Sequence, residues 1–386
     1  MADNKDKKVL NVPALRFPEF TREWKEHYLA EYLDFKNGLN PSANKFGSGI
    51  KFISVIDILN NDFITYDCIR TSVEITPEEQ VAFVVEKGDM LFQRSSETLE
   101  DVGRANVYMD NRPAVFGGFV IRGKKKAEYN PMFFRYLLAS PYARKKIIPM
   151  GAGAQHFNIG QDGLSKVKLH FPILQEQQKI AALLRLIDER IATQNKIIEK
   201  LETLIKGIRD YVLNNKLQNT TKKKLGELCT ITTGKLDANA MKSEGLYPFF
   251  TCAEDVYRID SFAFDTEALL VSGNGANLGY IHYYKGKFNA YQRTYVLSNF
   301  IEDIHYIQIY LEAYLHKRIA LEKSTSNTPY IVLATLAEMP IIIPSIKIQK
   351  DISNKILILK SKLITEIYIH NCYKDMRQFL LSQMFI

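Results

Sequence analysis

From Leu174 to Lys206 the chain runs without a glycine or a proline, and its aliphatic residues recur in alternating steps of four and three. Ile180, Leu184, Ile187 and Ile191 lead through the polar Gln194 to Ile198, Leu201, Ile205, Ile208 and Val212. A seam sustained at 3.5 residues over several heptads marks a coiled coil rather than a helix lying on one globular core. Extended from Ile173 to Asn215, such a helix is about 60 Å long at 1.5 Å per residue. It cannot bury its own seam and needs a partner of matching length. Yet it sits in the middle of a 386-residue chain rather than at an end.

The same chain supplies a partner. Sliding the sequence along itself until Pro172 meets Pro344 lays Phe157–Leu213 on Pro329–Phe385 without a gap. Gln177 then meets Gln349, Ile180 meets Ile352, Leu184 meets Ile356, Ile187 meets Leu359 and Ile191 meets Leu363. Even the polar Gln194 falls on a polar Glu366. The lead-ins SKVKLHFP and AEMPIIIP are short, apolar and closed by proline, as buried strands entering helices should be. The expected intramolecular seam is Ile180, Leu184, Ile187, Ile191, Ile198, Leu201 and Ile205 against Ile352, Ile356, Leu359 and Leu363. His370 and Arg377 interrupt the second copy, so its far end is expected to pack less well or to meet another subunit.

The segments before the helices also match in outline. LAEYLDFKNGLNPSAN (Leu29–Asn44) resembles LGELCTITTGKLDANA (Leu225–Ala240), which places Gly38 and Gly234 alike. Short strands with Gly, Asn and Ser turns and an amphipathic helix follow in each copy, the pattern of a mixed α+β domain. The expected organisation is a flexible N-terminal tail over 1–14, a first domain over 15–173 and a first long helix over 174–215. A second domain over 216–343 and a second long helix over 344–386 complete it. If the helices pair antiparallel, the chain closes on itself with an internal pseudo-two-fold axis, as a homodimer would.

Composition narrows the function by exclusion. No apolar run approaches the roughly 18 residues that span a bilayer, and MADNKDKKVL has no apolar core of a secretory signal. Cys68, Cys229, Cys252 and Cys372 form no CxxC pair, and the seven histidines form no HExxH. Reduced thiols in a cytoplasm are expected, without a metal centre. The net charge of +8 is spread thinly along the chain, so it permits a nucleic-acid partner without naming one.

Catalytic signatures are missing. There is no GxxxxGK[ST] phosphate loop, and no NPPY-type tetrapeptide such as an amino-methyltransferase uses. The nearest string, NPMF, places Pro131 where it suits the first turn of a helix. GAGA at Gly151–Ala154 precedes a strand rather than a helix, unlike a dinucleotide loop. Ser272 lacks a GxSxG elbow.

LRFPEFTREWKEHYL (Leu15–Leu29), FPILQEQQKIAALL (Phe171–Leu184) with its diverged copy PSIKIQKDI (Pro344–Ile352), and the duplicated plan together resemble the specificity subunits of type I restriction–modification systems. The resemblance covers essentially the whole chain. It implies two target-recognition domains, each reading half of a bipartite double-stranded DNA target, held apart by the two long helices. It also implies that this chain is not itself an enzyme and carries no cofactor. Methylation with S-adenosylmethionine would belong to two modification subunits, and ATP–Mg-driven cleavage to restriction subunits.

On that reading the small polar loops after the apolar strands are the places where bases would be read. In the first domain the candidates are Gln93, Arg94, Ser95 and Ser96, with Gln155 and His156 in a second loop. In the second they are Asn274, Asn277, Arg293, Ser326 and Asn327. The same residues also suit turns on backbone grounds alone. Arg185, Glu189 and Lys196, on the outer faces of the first long helix, are the candidates for modification-subunit contact. Two other classes stay open: a methyltransferase or nuclease with degenerate motifs, and a coiled-coil scaffold that does not touch DNA.

Overall fold

The computed structural model describes residues 10–153, 155–214, 219–321 and 330–386. Both seam patterns fold as helices, Leu174–Asn214 and Ile346–Gln383. The chain divides into a first unit, Met1–Asn195 with Tyr368–Ile386, and a second, Lys196–Ile367. Each long helix therefore begins in one unit and ends in the other.

The two units are built on one backbone plan. In the first, Lys25–Tyr28 pairs antiparallel with Lys168–Phe171, the strand that feeds the first long helix. In the second, Thr221–Lys224 pairs antiparallel with Pro340–Ile343 ahead of the second long helix. The Leu29 amide donates to the Val167 carbonyl at 2.9 Å, and the Leu225 amide to the Met339 carbonyl at 2.9 Å. Two four-stranded sheets follow in the first unit. One runs Leu33–Asn37, Val120–Lys125, Met90–Gln93, Ala105–Val107; the other runs Thr71–Val73, Phe46–Ile53, Ala114–Phe116, Val84–Val85. The second unit has one six-stranded sheet in the order Thr230–Thr233, Thr294–Ser298, Phe264–Ser272, Ile281–Ala290, Tyr247–Phe250, Tyr257–Ile259. Parallel pairs, Phe52 with Val115 and Phe249 with Asn289, occur among antiparallel ones in both, so each unit is a mixed α+β domain.

The duplication extends to side chains at the helix entries. Gln177 is buried, donates from Nε2 to the Pro172 carbonyl at 3.0 Å and accepts at Oε1 from the Asn130 amide at 3.0 Å. Gln349 repeats both bonds, to the Pro344 carbonyl at 2.8 Å and from the Asp303 amide at 3.0 Å. Asn130 and Asp303 are themselves helix caps. Asn130 accepts from the Phe133 amide ahead of Pro131–Ala139, and Asp303 from the Tyr306 amide ahead of Ile304–Leu321. Pro131 occupies the first helical turn, as its missing N–H favours.

The first unit corrects the expectation for the far end of the second long helix. His370 is buried, and the Arg377 guanidinium donates from Nε to Asp188 Oδ1 at 2.5 Å. Leu380, Leu381, Met384 and Phe385 join Trp24, Phe133, Ile180 and Leu184 in one apolar cluster. Far from packing less well, this end completes the first core. Its direction follows from the contacts. Arg377 meets Asp188, while Gln383 accepts from Leu15, whose neighbour Arg16 bonds Glu176. The two helix ends in this unit are antiparallel.

Seam residues are buried to different degrees. Ile180, Leu184, Leu201, Ile352 and Ile356 are buried, whereas Ile187, Ile191, Ile198, Ile205, Leu359 and Leu363 are half-buried. The side chain of Val212 lies outside the described residues. Within the second unit Ile208 packs on the cluster that holds Ile352 and Ile356.

The N-terminal tail is also corrected where it is described. Pro13 is buried, the Asn11 carbonyl accepts from the Trp24 amide at 2.8 Å, and the Leu15 amide donates to Gln383 at 2.9 Å. Behind them Arg16 grips Glu176 through Nε and Nη2 at 2.7 and 2.8 Å, and Trp24 Nε1 donates to the same carboxylate at 3.2 Å. Glu176 is buried, so removing Arg16 leaves an uncompensated charge, a change that costs about 3 kcal/mol in comparable pairs. Arg16→Ala should therefore lower the melting temperature of the first unit by several degrees, while the double variant Arg16→Met, Glu176→Gln, which keeps an acceptor for the Trp24 indole, recovers most of the loss. Calorimetry of the three proteins checks this; an equally damaging double variant would show that packing, not charge, is at stake.

Candidate nucleic-acid interface

The strand Met90–Gln93 is buried along its whole length, which suits its apolar sequence and its central place in the sheet. It delivers the chain into the first candidate loop. Gln93 is only 5% exposed; its Nε2 donates to the Ser95 carbonyl at 2.9 Å, and its backbone exchanges bonds with Arg104 and Gly103. Gln93 thus lies under the loop rather than on its surface. Its amide shapes the loop from beneath.

Arg94 is half-buried. Its amide donates to the Phe119 carbonyl at 2.9 Å, its carbonyl accepts from Ile159 at 2.9 Å, and its Nη1 donates to the Gly118 carbonyl at 3.3 Å. Ser95 and Ser96 form a two-stranded antiparallel ribbon with Asn158 and Phe157. The Ser95 hydroxyl bonds the Asn158 carboxamide oxygen, and Ser96 Oγ accepts from the Thr98 amide at 3.2 Å. Gln155 and His156 are exposed beside this ribbon. Two loops inferred separately thus form one surface. Asn158 and Phe119 belong to it as well, and nothing in their local sequence marked them.

The loop beneath is clamped by Arg144, whose Nη2 donates to the carbonyls of Glu100 and Val102 at 2.8 and 2.6 Å. Burial pushes this guanidinium down to about 10, and the charge of Arg104 adds to the effect. It still carries its positive charge at neutral pH.

The second unit has the same corner in different residues. Ser272 is buried, as Gln93 is, and the Gly273 amide donates to the Arg293 carbonyl at 2.9 Å. Asn274 is half-buried and bridges antiparallel to Tyr330. Asn277, also half-buried, donates to the Cys252 carbonyl at 3.3 Å, and the Cys252 thiol donates to the Arg293 carbonyl at 3.5 Å. Asn274, Asn277 and Arg293 are therefore brought together, with Arg293 exposed. Ser326 and Asn327 lie outside the described residues.

Gly38 and Gly234 hold both corners. A Cβ on Gly38 would stand 2.1 Å from the Gly117 carbonyl oxygen, and one on Gly234 would stand 1.9 Å from that of Ala290. Only glycine permits backbones to come so close. Parallel bridges from Leu39 to Gly117 and from Leu236 to Tyr291 extend the two contacts.

On the first long helix, Arg185 and Glu189 form an exposed ion pair at 2.9 Å, one turn apart, and Lys196 is exposed. Arg185 and Glu189 line an open groove of about 470 Å³ with Met109, Pro131, Met132 and Leu186.

Residues 21–203 and 218–369 match the family described as the type I restriction modification DNA specificity domain. Similar proteins include the type I restriction enzyme EcoDI specificity subunit of Escherichia coli, 44% identical over 132 residues, which are 34% of this chain and 29% of that protein. The type I restriction enzyme MjaVIII specificity subunit of Methanocaldococcus jannaschii is 24% identical over 206 residues, 52% of this chain and 48% of that protein. The matches thus span less than half the length of these curated relatives. Among solved structures, the type I restriction–modification S subunit from M. genitalium shares the fold. Its TM-score is 0.68 at 18% identity, over 97% of this chain and 99% of that one.

Buried and exposed members of the interface should separate experimentally. Gln93→Ala removes the bond to Ser95 and should cost about 1 kcal/mol of stability. Gln155→Ala with His156→Ala should leave stability within about 0.5 kcal/mol while weakening duplex binding. Thermal denaturation alongside a duplex-binding titration reads both effects. A stable Gln93→Ala protein that no longer binds would return Gln93 to the list of readers.

Proposed function

We propose that this chain, which belongs to the type I restriction–modification DNA specificity family, is the sequence-reading subunit of a modification and restriction complex. Each domain reads one half of a bipartite double-stranded target. One observation carries this reading: the two domains repeat their backbone bonds while replacing the side chains at the corner. Gln93 gives way to Ser272, Arg94 to Gly273 and Phe119 to Arg293 at matched positions. A common frame with exchanged side chains is what reading two different half-sites requires, since bases are distinguished by side chains at groove edges while the frame sets register.

The chain itself performs no chemistry in this proposal. Adenine methylation with S-adenosylmethionine belongs to two modification subunits, which dock on the outer faces of the long helices through Arg185, Glu189 and Lys196 and the groove beside the first two. ATP–Mg-dependent cleavage belongs to restriction subunits. The same reading places the chain in the cytoplasm; among the described residues no helix is long and apolar enough to cross a membrane.

The long helices then act as the spacer between half-sites, since half-site separation follows the geometry of the element joining two readers. Inserting one heptad after Lys200, with a matching heptad in the second helix, should lengthen the unspecified spacer and leave both half-sites unchanged. Sequencing of N6-methyladenine in cells carrying the altered chain reads this, and an unchanged spacer would refute the ruler. Duplex binding should also weaken steeply as salt rises, because phosphate contacts release counterions. Methyl-donor binding by the isolated chain would instead favour a degenerate methyltransferase.

A further inference from the structure

The matched corners can be aligned residue by residue from their backbone bonds. The Arg94 amide donates to the Phe119 carbonyl as the Gly273 amide does to that of Arg293, both at 2.9 Å. One step along, the Gly38 amide reaches the Val120 carbonyl and the Gly234 amide reaches that of Thr294, at 3.2 and 3.3 Å. On the other strand, Ile159 donates to Arg94 at 2.9 Å and Ile331 to Gly273 at 2.8 Å. Phe119 and Arg293 are therefore the same position, pinned on both sides.

In the first domain that position is the one the corner presents outward; in the second, Gln292 is exposed beside Arg293. Residues 114–118 and Val120 are all buried, yet Phe119 between them is 69% exposed. Gly117 and Gly118 bring no side chains to the turn, so Phe119 stands alone at its tip. Arg94 does not compete with it, because its guanidinium is turned back onto the Gly118 carbonyl. Phe119 thus offers a mostly exposed aromatic ring beside the Ser95–Asn158 ribbon, on a backbone pinned by hydrogen bonds. In the second domain the equivalent tip is a guanidinium, and the residue beneath it is a glycine.

We propose that Phe119 and Arg293 are the equivalent specificity-determining residues of the two domains, an inference that rests on the DNA-reading function above. Phe119 makes apolar contact with the 5-methyl group of a thymine in one half-site. Arg293 donates to the O6 and N7 acceptors of a guanine in the other. These are the contacts an aromatic ring and a guanidinium make at major-groove edges.

Selection from a randomised duplex library by the full chain assembled with its modification subunits tests this. The wild type should enrich a bipartite motif. Phe119→Ala should lose preference at one T·A pair of one half-site only, by roughly tenfold, and Arg293→Ala at one G·C pair of the other half-site by a similar factor. Uracil in place of that thymine should weaken the wild type and leave Phe119→Ala indifferent. Phe119→Arg should shift the same pair toward G·C, and this gain of preference cannot come from misfolding. An unchanged motif in both alanine variants, or a loss spread evenly over all sequences, overturns the inference while leaving the DNA-reading function intact. No enriched motif for the wild type overturns that function itself.

Discussion

Each long helix leaves its domain beside a buried glutamine amide, and the geometry of both helix entries depends on that joint. Gln177 and Gln349 each tie the carbonyl of the proline two residues ahead of the long helix to the amide of the residue that caps a neighbouring helix. A buried carboxamide left without partners would cost more than the bonds contribute, so the joint holds one geometry or none. In the second copy the amide also reaches Glu302, and Ser353 bonds Asp303, which extends the polar network without altering its centre. The direction in which each long helix leaves its domain is thereby set by hydrogen bonds rather than by apolar packing alone. Packing would tolerate a slide along the seam; a two-ended amide does not.

The heptad pattern, the proline-bounded lead-ins and the pairing of Gln177 with Gln349 were all legible in the sequence, because each rests on local spacing. What misled was the far end of the second helix. His370 and Arg377 interrupt a 3.5-residue seam, and a seam alone makes such residues defects. Arg377 is instead the partner of Asp188, which in turn accepts from Tyr136 at 2.7 Å. Leu380, Leu381, Met384 and Phe385 serve a globular core, where the period of the coiled coil no longer applies. Partners so distant along the chain leave no trace in local periodicity. The same holds for Arg16 and Glu176, which belong to two of the strings that carried the family resemblance and meet only in the folded unit.

The interface was legible in its frame and not in its readers. Gly38 and Gly234 could be matched from spacing, and the reason for them is steric: a carbonyl occupies the place of a side chain. Gln93 looked like a loop residue because it ends an apolar run. Its strand is central, however, and a polar group at the end of a central strand is drawn into bonding the loop it supports. Phe119 was hidden for the opposite reason. In FGGFVI it reads as one more buried apolar residue, and only the fold shows that its neighbours turn inward while it does not.

Duplication and divergence act on different layers of this molecule. Backbone bonds at the lead-in strands, helix entries and loop corners recur with small changes in length, since any change there would disturb burial shared by a whole domain. Among the described residues the side chains of Phe119 and Arg293 are exposed and make no hydrogen bond, so their replacement should have little effect on stability. An exposed site on a rigid frame is thus free to change its chemistry without changing its position. On the reading proposed above, that separation lets one chain carry two readers of unlike preference on a single scaffold, and the residues proposed to set specificity are then the ones least constrained by folding.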